Sequence, residues 1–264
     1  MDIATLLGLV IAFGSLGFAV ILEGGHLRSL VNISAAFIVF GGTFGATMIS
    51  QPLSLMIKLP IIFKHAILGK LMEPHQAIAK IVELATIARR EGVLALEQHL
   101  DSIPDPFMRK GLQLVIDGTD PEIVRDILET ELAVQAERHK MGAKVFLTMG
   151  GLAPTLGVTG TVMGLVHMME QLDDPSKMGP AIASAFIATL YGVASANIVF
   201  IPIGNKLGTR SQQEIMVREI MLEGILALQA GMAPMLIAEK LRAFLDPKTR
   251  EKVGTEGGAQ AQAA

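Results

Sequence analysis

The chain has 264 residues, 51% of them apolar, and a formal net charge of −3. Its mean hydropathy is +0.50. It contains no cysteine, which excludes disulfides and thiolate metal sites. The sequence carries no metalloprotease motif, nucleotide-binding loop or recognisable nucleophile set, and no basic patch interleaved with aromatic residues. We therefore expect neither an enzyme nor a nucleic-acid-binding protein.

Four long stretches contain no Asp, Glu, Lys or Arg: 3–22, 30–57, 145–169 and 178–205. A helix needs about 20 apolar residues to cross the hydrocarbon core of a bilayer. Helices are the spanning solution for such segments because hydrocarbon cannot satisfy exposed backbone amides. The sequence predicts an all-α polytopic membrane protein with four transmembrane helices and a helical cytoplasmic region.

The basic residues predict the topology. All but Arg28 and Lys177 lie outside the two short connections, in 58–144 and 206–252. Because positive charge collects on the cytoplasmic side, both termini should be cytoplasmic. The predicted organisation is a transmembrane hairpin (1–57), a cytoplasmic helical insert (58–144), a second hairpin (145–205), a cytoplasmic helix (206–246) and a polar, disordered tail (247–264).

Proline and glycine divide the insert into helices. Pro74 opens a helix that should stop at Gly92, and Pro104 and Pro106 open a second helix that should end near 117–118. The sequence Thr119-Asp120-Pro121-Glu122 offers an N-cap for a third. Because no proline follows before Pro154, this third helix should rise directly into the third span.

The fourth span should likewise continue beyond a kink at Pro202 toward Gln229.

The third and fourth spans each carry one stripe of small, slightly polar residues. The third has Pro154, Gly157, Thr161, Gly164 and Met168 at helical spacing, and the fourth has Ala185, Thr189, Gly192 and Ala196. Small residues allow helices to approach closely. A membrane threonine most often bonds to a carbonyl of its own helix. Lining an ion or water path is the alternative interpretation.

No acidic residue lies between Lys144 and Glu170 or between Lys177 and Lys206. Ion transport through hydrocarbon normally needs an intramembrane carboxylate. Either the chain moves no ions, or a partner supplies the carboxylate.

The insert contains a compact charged group, in which Arg89, Arg90 and Glu91 end a helix and Glu97 follows Gly92. Taken alone, such charges are usually a solvated face.

Several stretches resemble the flagellar stator A subunits MotA, PomA and MotP. They are the start of the chain at 1–9, the run 79–97, the run 153–165, and the shorter motifs at 173–175, 179–181 and 188–192. The resemblance extends from residue 1 to about 245. It implies a homopentameric ring in the inner membrane, around a dimer of a MotB/PomB-type B subunit whose helix carries the ion-binding aspartate.

The resemblance also assigns residues. It implies that Pro154 and Pro202 are functional prolines that act in torque generation, and that Thr161 and Thr189 lie near the ion. Pro154, Gly157 and Tyr191 belong to the same ion-pathway stretches. Arg89, Arg90 and Glu97 would engage the rotor protein FliG.

The resemblance favours sodium as the transported ion, with protons as the alternative. Sodium-type relatives carry threonine at both positions that match Thr161 and Thr189. A hard cation that leaves water needs oxygen ligands, whereas a proton on a carboxylate needs none. We expect a transient sodium site at these two hydroxyls and no resident cofactor. A TolQ/ExbB-type energiser, which typically has three spans, and a non-conducting membrane scaffold are the other two hypotheses.

Overall fold

The computed structural model describes residues 3–68, 72–170 and 172–245, which form helices and turns without a strand. Within these residues, four helices are long and apolar enough to cross a membrane: Ile3–Leu22, Ile33–Ser50, Pro121–Met169 and Met178–Gln229. The predicted all-α fold with four membrane-length helices is therefore confirmed. The predicted disordered tail, 247–264, lies outside the described residues.

The chain divides into two compact units. The transmembrane unit comprises Met1–Lys70 and His139–Thr209, and the insert unit comprises Leu71–Arg138 and Arg210–Ala264. Two unit boundaries fall inside helices, because α8 (Pro121–Met169) and α10 (Ile201–Gln229) each contribute residues to both units.

The first hairpin begins with α1, Ile3–Leu22. Its second span consists of α2 (Ile33–Ala36), a π-helical segment (Phe37–Gly41) and α3 (Gly42–Ser50). The charge-free stretch 30–57 is thus not one helix. Gln51 is extended, with φ −130° and ψ 148°, and Pro52 is extended as well. The residue before a proline avoids the helical region, so the helix stops at Ser50. Two short helices follow, α4 (Leu53–Met56) and α5 (Leu59–Leu68).

The second hairpin is built from two very long helical segments. The predicted single helix into the third span is confirmed: α8 spans 49 residues, with Pro154 inside it. Its start is capped by Asp120, whose carboxylate accepts a hydrogen bond from the Glu122 N–H at 2.9 Å. The second helical segment of this hairpin consists of α9 (Pro175–Ala194), a π-helical segment (Ser195–Phe200) and α10. The predicted end at Gln229 is confirmed, and the π-helical segment ends two residues before Pro202.

The insert unit encloses a large apolar core. Its helices include α6 (Pro74–Glu91), a 3₁₀ segment (Val93–Ser102) and α7 (Pro106–Ile116). The helix starts at Pro74 and Pro106 are confirmed, and the first of these helices ends at Gly92, whose φ of 87° suits a residue without a side chain. The largest fully buried side chains include Phe107, Leu128 and Ile225.

The segment 206–246 was predicted as one cytoplasmic helix, and this is wrong in detail. Gly231 has a φ of 70°, and a separate helix, α11, begins three residues later and spans Pro234–Arg242. The glycine adopts a left-handed conformation that ends α10. Proline then starts the next helix at its favoured first position.

Candidate functional site

Glycine brings the third and fourth spans into backbone contact. A Cβ atom at Gly192 would lie 2.5 Å from the Ala153 carbonyl oxygen, and one at Gly157 would lie 2.9 Å from the Ala188 carbonyl oxygen. Real Cβ atoms do not approach backbone this closely, so both positions require glycine at this helix separation. The two small-residue stripes predicted from the sequence therefore face each other.

At this close approach the structure brings Thr161 and Thr189 together. Their side-chain oxygens are hydrogen-bonded to each other. The Thr161 hydroxyl also lies 3.1 Å from the carbonyl oxygens of Gly157 and Ala185. The Thr189 hydroxyl lies 3.5 Å from the Gly157 carbonyl oxygen. Four oxygens are thus gathered between two helices inside an apolar environment.

The cluster has more acceptors than donors. Two hydroxyls supply two protons, while the four oxygens offer more lone pairs than two protons can occupy. Such a set of neutral oxygens can coordinate a hard cation, which prefers oxygen ligands. The other interpretation, in which a membrane threonine bonds to a carbonyl of its own helix, also holds in part, because Thr161 bonds to the Gly157 carbonyl of α8. The contacts of Thr189, by contrast, reach across to Thr161 and Gly157 of the neighbouring helix.

The two predicted functional prolines occupy different places. Pro154 is half-buried in α8, one turn before Gly157 and on the same stripe. Pro202 is exposed on α10. At about 1.5 Å of rise per residue, Pro202 stands roughly 20 Å along the helix from Thr189. Pro154 lies nearer to the threonine pair, about 10 Å along α8 from Thr161, and the torque roles of both prolines stay predictions.

Tyr191 of α9 is hydrogen-bonded to the backbone at the start of the second span. Its hydroxyl donates to the Leu30 carbonyl oxygen and accepts from the Asn32 N–H, the latter at 3.1 Å. Its ring stacks on Phe40 with centroids 5.9 Å apart. The Asn32 side-chain amide donates to the Ser184 hydroxyl at 2.8 Å. The backbone thus holds the hydroxyl of Tyr191, whose place in the ion pathway stays a prediction.

No pattern in the sequence indicates this contact between distant residues.

The C-terminal end of α8 holds a weak polar pair. The Nδ1 atom of His167 lies 3.3 Å from a carboxylate oxygen of Glu170, and both side chains are exposed. Within the described residues, no group of three or more His, Cys, Asp or Glu side chains could hold a metal ion.

The predicted rotor-contact residues lie on the surface of the insert unit. Arg89 and Arg90 occupy the last turn of α6, and Glu97 lies on the 3₁₀ segment that follows Gly92. All three are exposed. In the part of the chain that the structure describes, none of them forms an ion pair. Leu94, between them in sequence, exposes 71% of its surface. This surface offers unpaired charges of both signs beside an apolar side chain.

These features define a polytopic helical membrane protein with an oxygen-lined site between two of its spans. The sequence profile of the MotA/TolQ/ExbB proton channel family matches residues 99–220. The chain is 37% identical over 261 residues to motility protein A of Bacillus subtilis, which covers 98% of this chain and 97% of that protein. It is 40% identical over 250 residues to chemotaxis protein PomA of Vibrio alginolyticus, covering 95% and 98%.

Solved structures agree with these relatives. The MotAB structure from C. jejuni superposes with a TM-score of 0.89 at 30% identity, covering 94% of this chain and 97% of the matched chain. The flagellar MotAB stator complex from Bacillus subtilis gives a TM-score of 0.88 at 37% identity, covering 94% and 98%. The chain belongs to the MotA/PomA family of flagellar stator A subunits, and the resemblance noted in the sequence is confirmed.

Proposed function

We propose that this chain is the ion-conducting A subunit of a flagellar stator that converts ion motive force into torque. Five copies would form a ring in the inner membrane, with both termini cytoplasmic, around a dimer of a B subunit. The observation that carries this proposal is the oxygen cluster at Thr161 and Thr189, which lies between apolar spans that contain no acidic residue of their own. A cation could be coordinated there but not neutralised.

The missing negative charge points to the B subunit. The two solved relatives are described as MotAB structures, that is, with a B component. An aspartate on the B helix would provide the carboxylate beside the third and fourth spans. Binding of an ion would neutralise this aspartate, change its contact with the ring, and allow the ring to step around the B dimer.

Sodium is the ion that the cluster suits best. Neutral oxygens replace part of the hydration shell of sodium, whereas a proton on the partner carboxylate needs no such ligands. Protons are the alternative.

The ion assignment is tested on motors assembled with the B subunit. Thr189→Ala removes one ligand, which should cost about 1–3 kcal/mol and raise the sodium concentration for half-maximal swimming speed roughly 5- to 150-fold, or stop rotation. Thr159→Ala is the matched control, because the exposed Thr159 hydroxyl bonds only to the Thr155 carbonyl of its own helix, at 3.0 Å. Motors that ignore sodium and stop when the proton gradient collapses would establish protons instead.

Conductance separates the stator from the other hypotheses. The chain alone in proteoliposomes should pass neither sodium nor protons, and the chain with an activated B subunit should conduct. Conductance by the A subunit alone would overturn the proposal that the ion site is shared with the B subunit. An absence of conductance in the presence of the B subunit would favour a non-conducting scaffold. A TolQ/ExbB-type energiser is disfavoured by the first hairpin and by the near full-length match to motility protein A.

The surface that carries Arg89, Arg90 and Glu97 would dock the rotor protein FliG. The support for this role is that all three charges are exposed and leave their ion-pairing capacity unused in the described chain.

A further inference from the structure

The segment that follows the second span, residues 53–68, has one face packed and one face open. It begins where Gln51 and Pro52 leave the helical conformation. On the packed face, Leu59 and Ala66 are buried in a cluster with Val145 and Phe146 of α8. The segment therefore packs against α8 through Leu59 and Ala66. This contact determines which face of the segment stays exposed.

A contact between Ile62 and Gly142 sets the position of α5 along the axis of α8. A Cβ atom at Gly142 would lie 3.5 Å from the Ile62 Cδ1 atom. Gly142 precedes the charge-free part of α8 by three residues. The helix α5 thus lies beside the point where the third span changes from charged to apolar, which is where a membrane surface begins.

The open face of the segment is apolar with two lysines. Leu53 exposes 61% of its surface, Ile57 69% and Ile61 58%. Lys58 and Lys64 are exposed as well. Ile61 and Lys64 stand at i and i+3 of α5, which places them on one helical face, and Ile57 lies in the turn between α4 and α5. Apolar side chains of this size do not remain in water when a bilayer is adjacent.

Charge identifies what covers this face. No Asp or Glu occurs between Glu23 and Glu73, so Lys58 and Lys64 have no acidic neighbour within the segment. A lipid surface with anionic headgroups offers the opposite charge to the lysines and hydrocarbon to the leucine and isoleucines.

We propose that residues 53–68 lie in the cytoplasmic interface of the bilayer and bind anionic phospholipids. Lys58 and Lys64 contact the headgroup phosphates, while Leu53, Ile57 and Ile61 enter the boundary with the acyl chains. This contact anchors α5, and through its packed face the start of the third span, to the membrane. The proposal rests on the proposed membrane orientation of the stator subunit.

Lipid quenching tests this contact without measuring ion flow, so its failure is distinct from a failure of the stator function. Because the chain has no native cysteine, Ile57→Cys or Ile61→Cys can be labelled with a fluorophore in the full chain, assembled with its B subunit in liposomes. Brominated phosphatidylglycerol and brominated phosphatidylcholine serve as quenchers. Leu94→Cys, exposed on the insert unit, is the control that should stay unquenched.

We expect both labels to be quenched at the shallow depth of the headgroup boundary, and more strongly by phosphatidylglycerol. Lys58→Gln and Lys64→Gln should each reduce the preference for phosphatidylglycerol about fivefold, and Lys80→Gln on α6 should not change it. Equal quenching by both lipids in the parent chain would overturn the anionic site. Labels that no lipid quenches, together with crosslinks from Ile61→Cys between copies, would show that a neighbouring subunit covers the face.

Discussion

The two units of this chain are built on opposite principles. The insert unit closes its large side chains into one core, in which Phe107, Leu128 and Ile225 are almost fully inaccessible. The transmembrane unit buries two small clusters, one around Phe146 and one around Val39. Its apolar side chains mostly point outward, as with Ile11, which exposes 67% of its surface.

The contrast shows where each unit obtains its stability. In the insert unit, burial of apolar side chains removes them from water. In the transmembrane unit, lipid tails are as apolar as the side chains, so helices associate through close packing of small residues. The glycines and alanines of the third and fourth spans therefore take the role that leucines and isoleucines have in the insert unit.

The largest predicted effect is a cavity in the insert core. Leu128→Ala should lower the free energy of unfolding of the full chain in detergent by about 2–5 kcal/mol. Leu7→Ala is the matched truncation in the transmembrane unit, where Leu7 exposes 54% of its surface. It should change stability by less than about 0.5 kcal/mol. Equal losses in thermal or chemical unfolding would contradict the difference between the units.

The second effect concerns the close approach of α8 and α9. Gly192→Ala places a methyl group against the Ala153 carbonyl oxygen, which forces the helices apart and should cost about 1–3 kcal/mol. It should also separate the two threonine hydroxyls and impair conductance with the B subunit. Gly151→Ala is the control on α8, because a Cβ atom there has nothing within 4 Å. Unchanged unfolding and conductance in Gly192→Ala would show that the spans are not held by backbone contact.

A third, smaller effect is electrostatic and belongs to the insert unit. Glu223 lies 3.0 Å from Arg125 and 2.6 Å from Lys240. Burial alone would raise the pKa of Glu223, but the hydrogen bonds from Lys240 and Arg125 outweigh it, and the pKa is lowered. A lowered pKa stabilises the fold above the ordinary glutamate pKa of about 4.3, and this contribution is lost as the pH falls through the lowered value.

Glu223→Gln should therefore cost about 1 kcal/mol at pH 7, since both partners are partly exposed. Melting temperatures measured from pH 7 down to pH 3 should converge for the variant and the parent chain. Glu239→Gln, at a side chain that is 75% exposed, should follow the parent throughout. A difference that persists unchanged at pH 3 would mean that the charge of Glu223 is not its cause.

The smallest effect on stability should come from the charges of the proposed rotor surface. Arg90→Glu and Glu97→Lys should each change the free energy of unfolding by less than about 1 kcal/mol, because both residues are exposed. Swimming speed should nonetheless fall, and a complementary reversal on FliG should restore part of it. Asp126→Lys, another exposed site of the insert unit, is the control. Normal swimming in both reversals, singly and together, would identify these charges as a solvated surface.

Local sequence rules predicted the helices of the insert unit well. Pro74 and Gly92 mark the ends of α6 because proline suits a first helical turn and glycine a left-handed end. The same signals mark the turn between α10 and α11, where Gly231 ends one helix and Pro234 begins the next, and the single helix predicted over 206–246 overlooks them.

Tertiary features of the site were only partly accessible. The sequence places Thr161 and Thr189 each on a small-residue stripe, but which stripe faces which depends on the packing of two helices. Counting along α9 gives no reason to expect that Tyr191, two residues from Thr189, bonds to the backbone at Leu30. Such contacts between residues far apart in the chain are not encoded in periodicity.

The π-helical segment at Ser195–Phe200 changes how substitution scans of the fourth span should be read. A π-helical turn accommodates one more residue than an α-helical turn, which is equivalent to a one-residue insertion. Every residue beyond it is rotated by about 100° relative to an uninterrupted α-helix. Positions that are sensitive to substitution should follow α-helical spacing from Ala185 and Thr189 as far as the π-helical segment. Beyond it, toward Pro202, the same spacing should resume with an offset of one residue. Alignments with relatives that lack this segment should place their single-residue gap within 195–200.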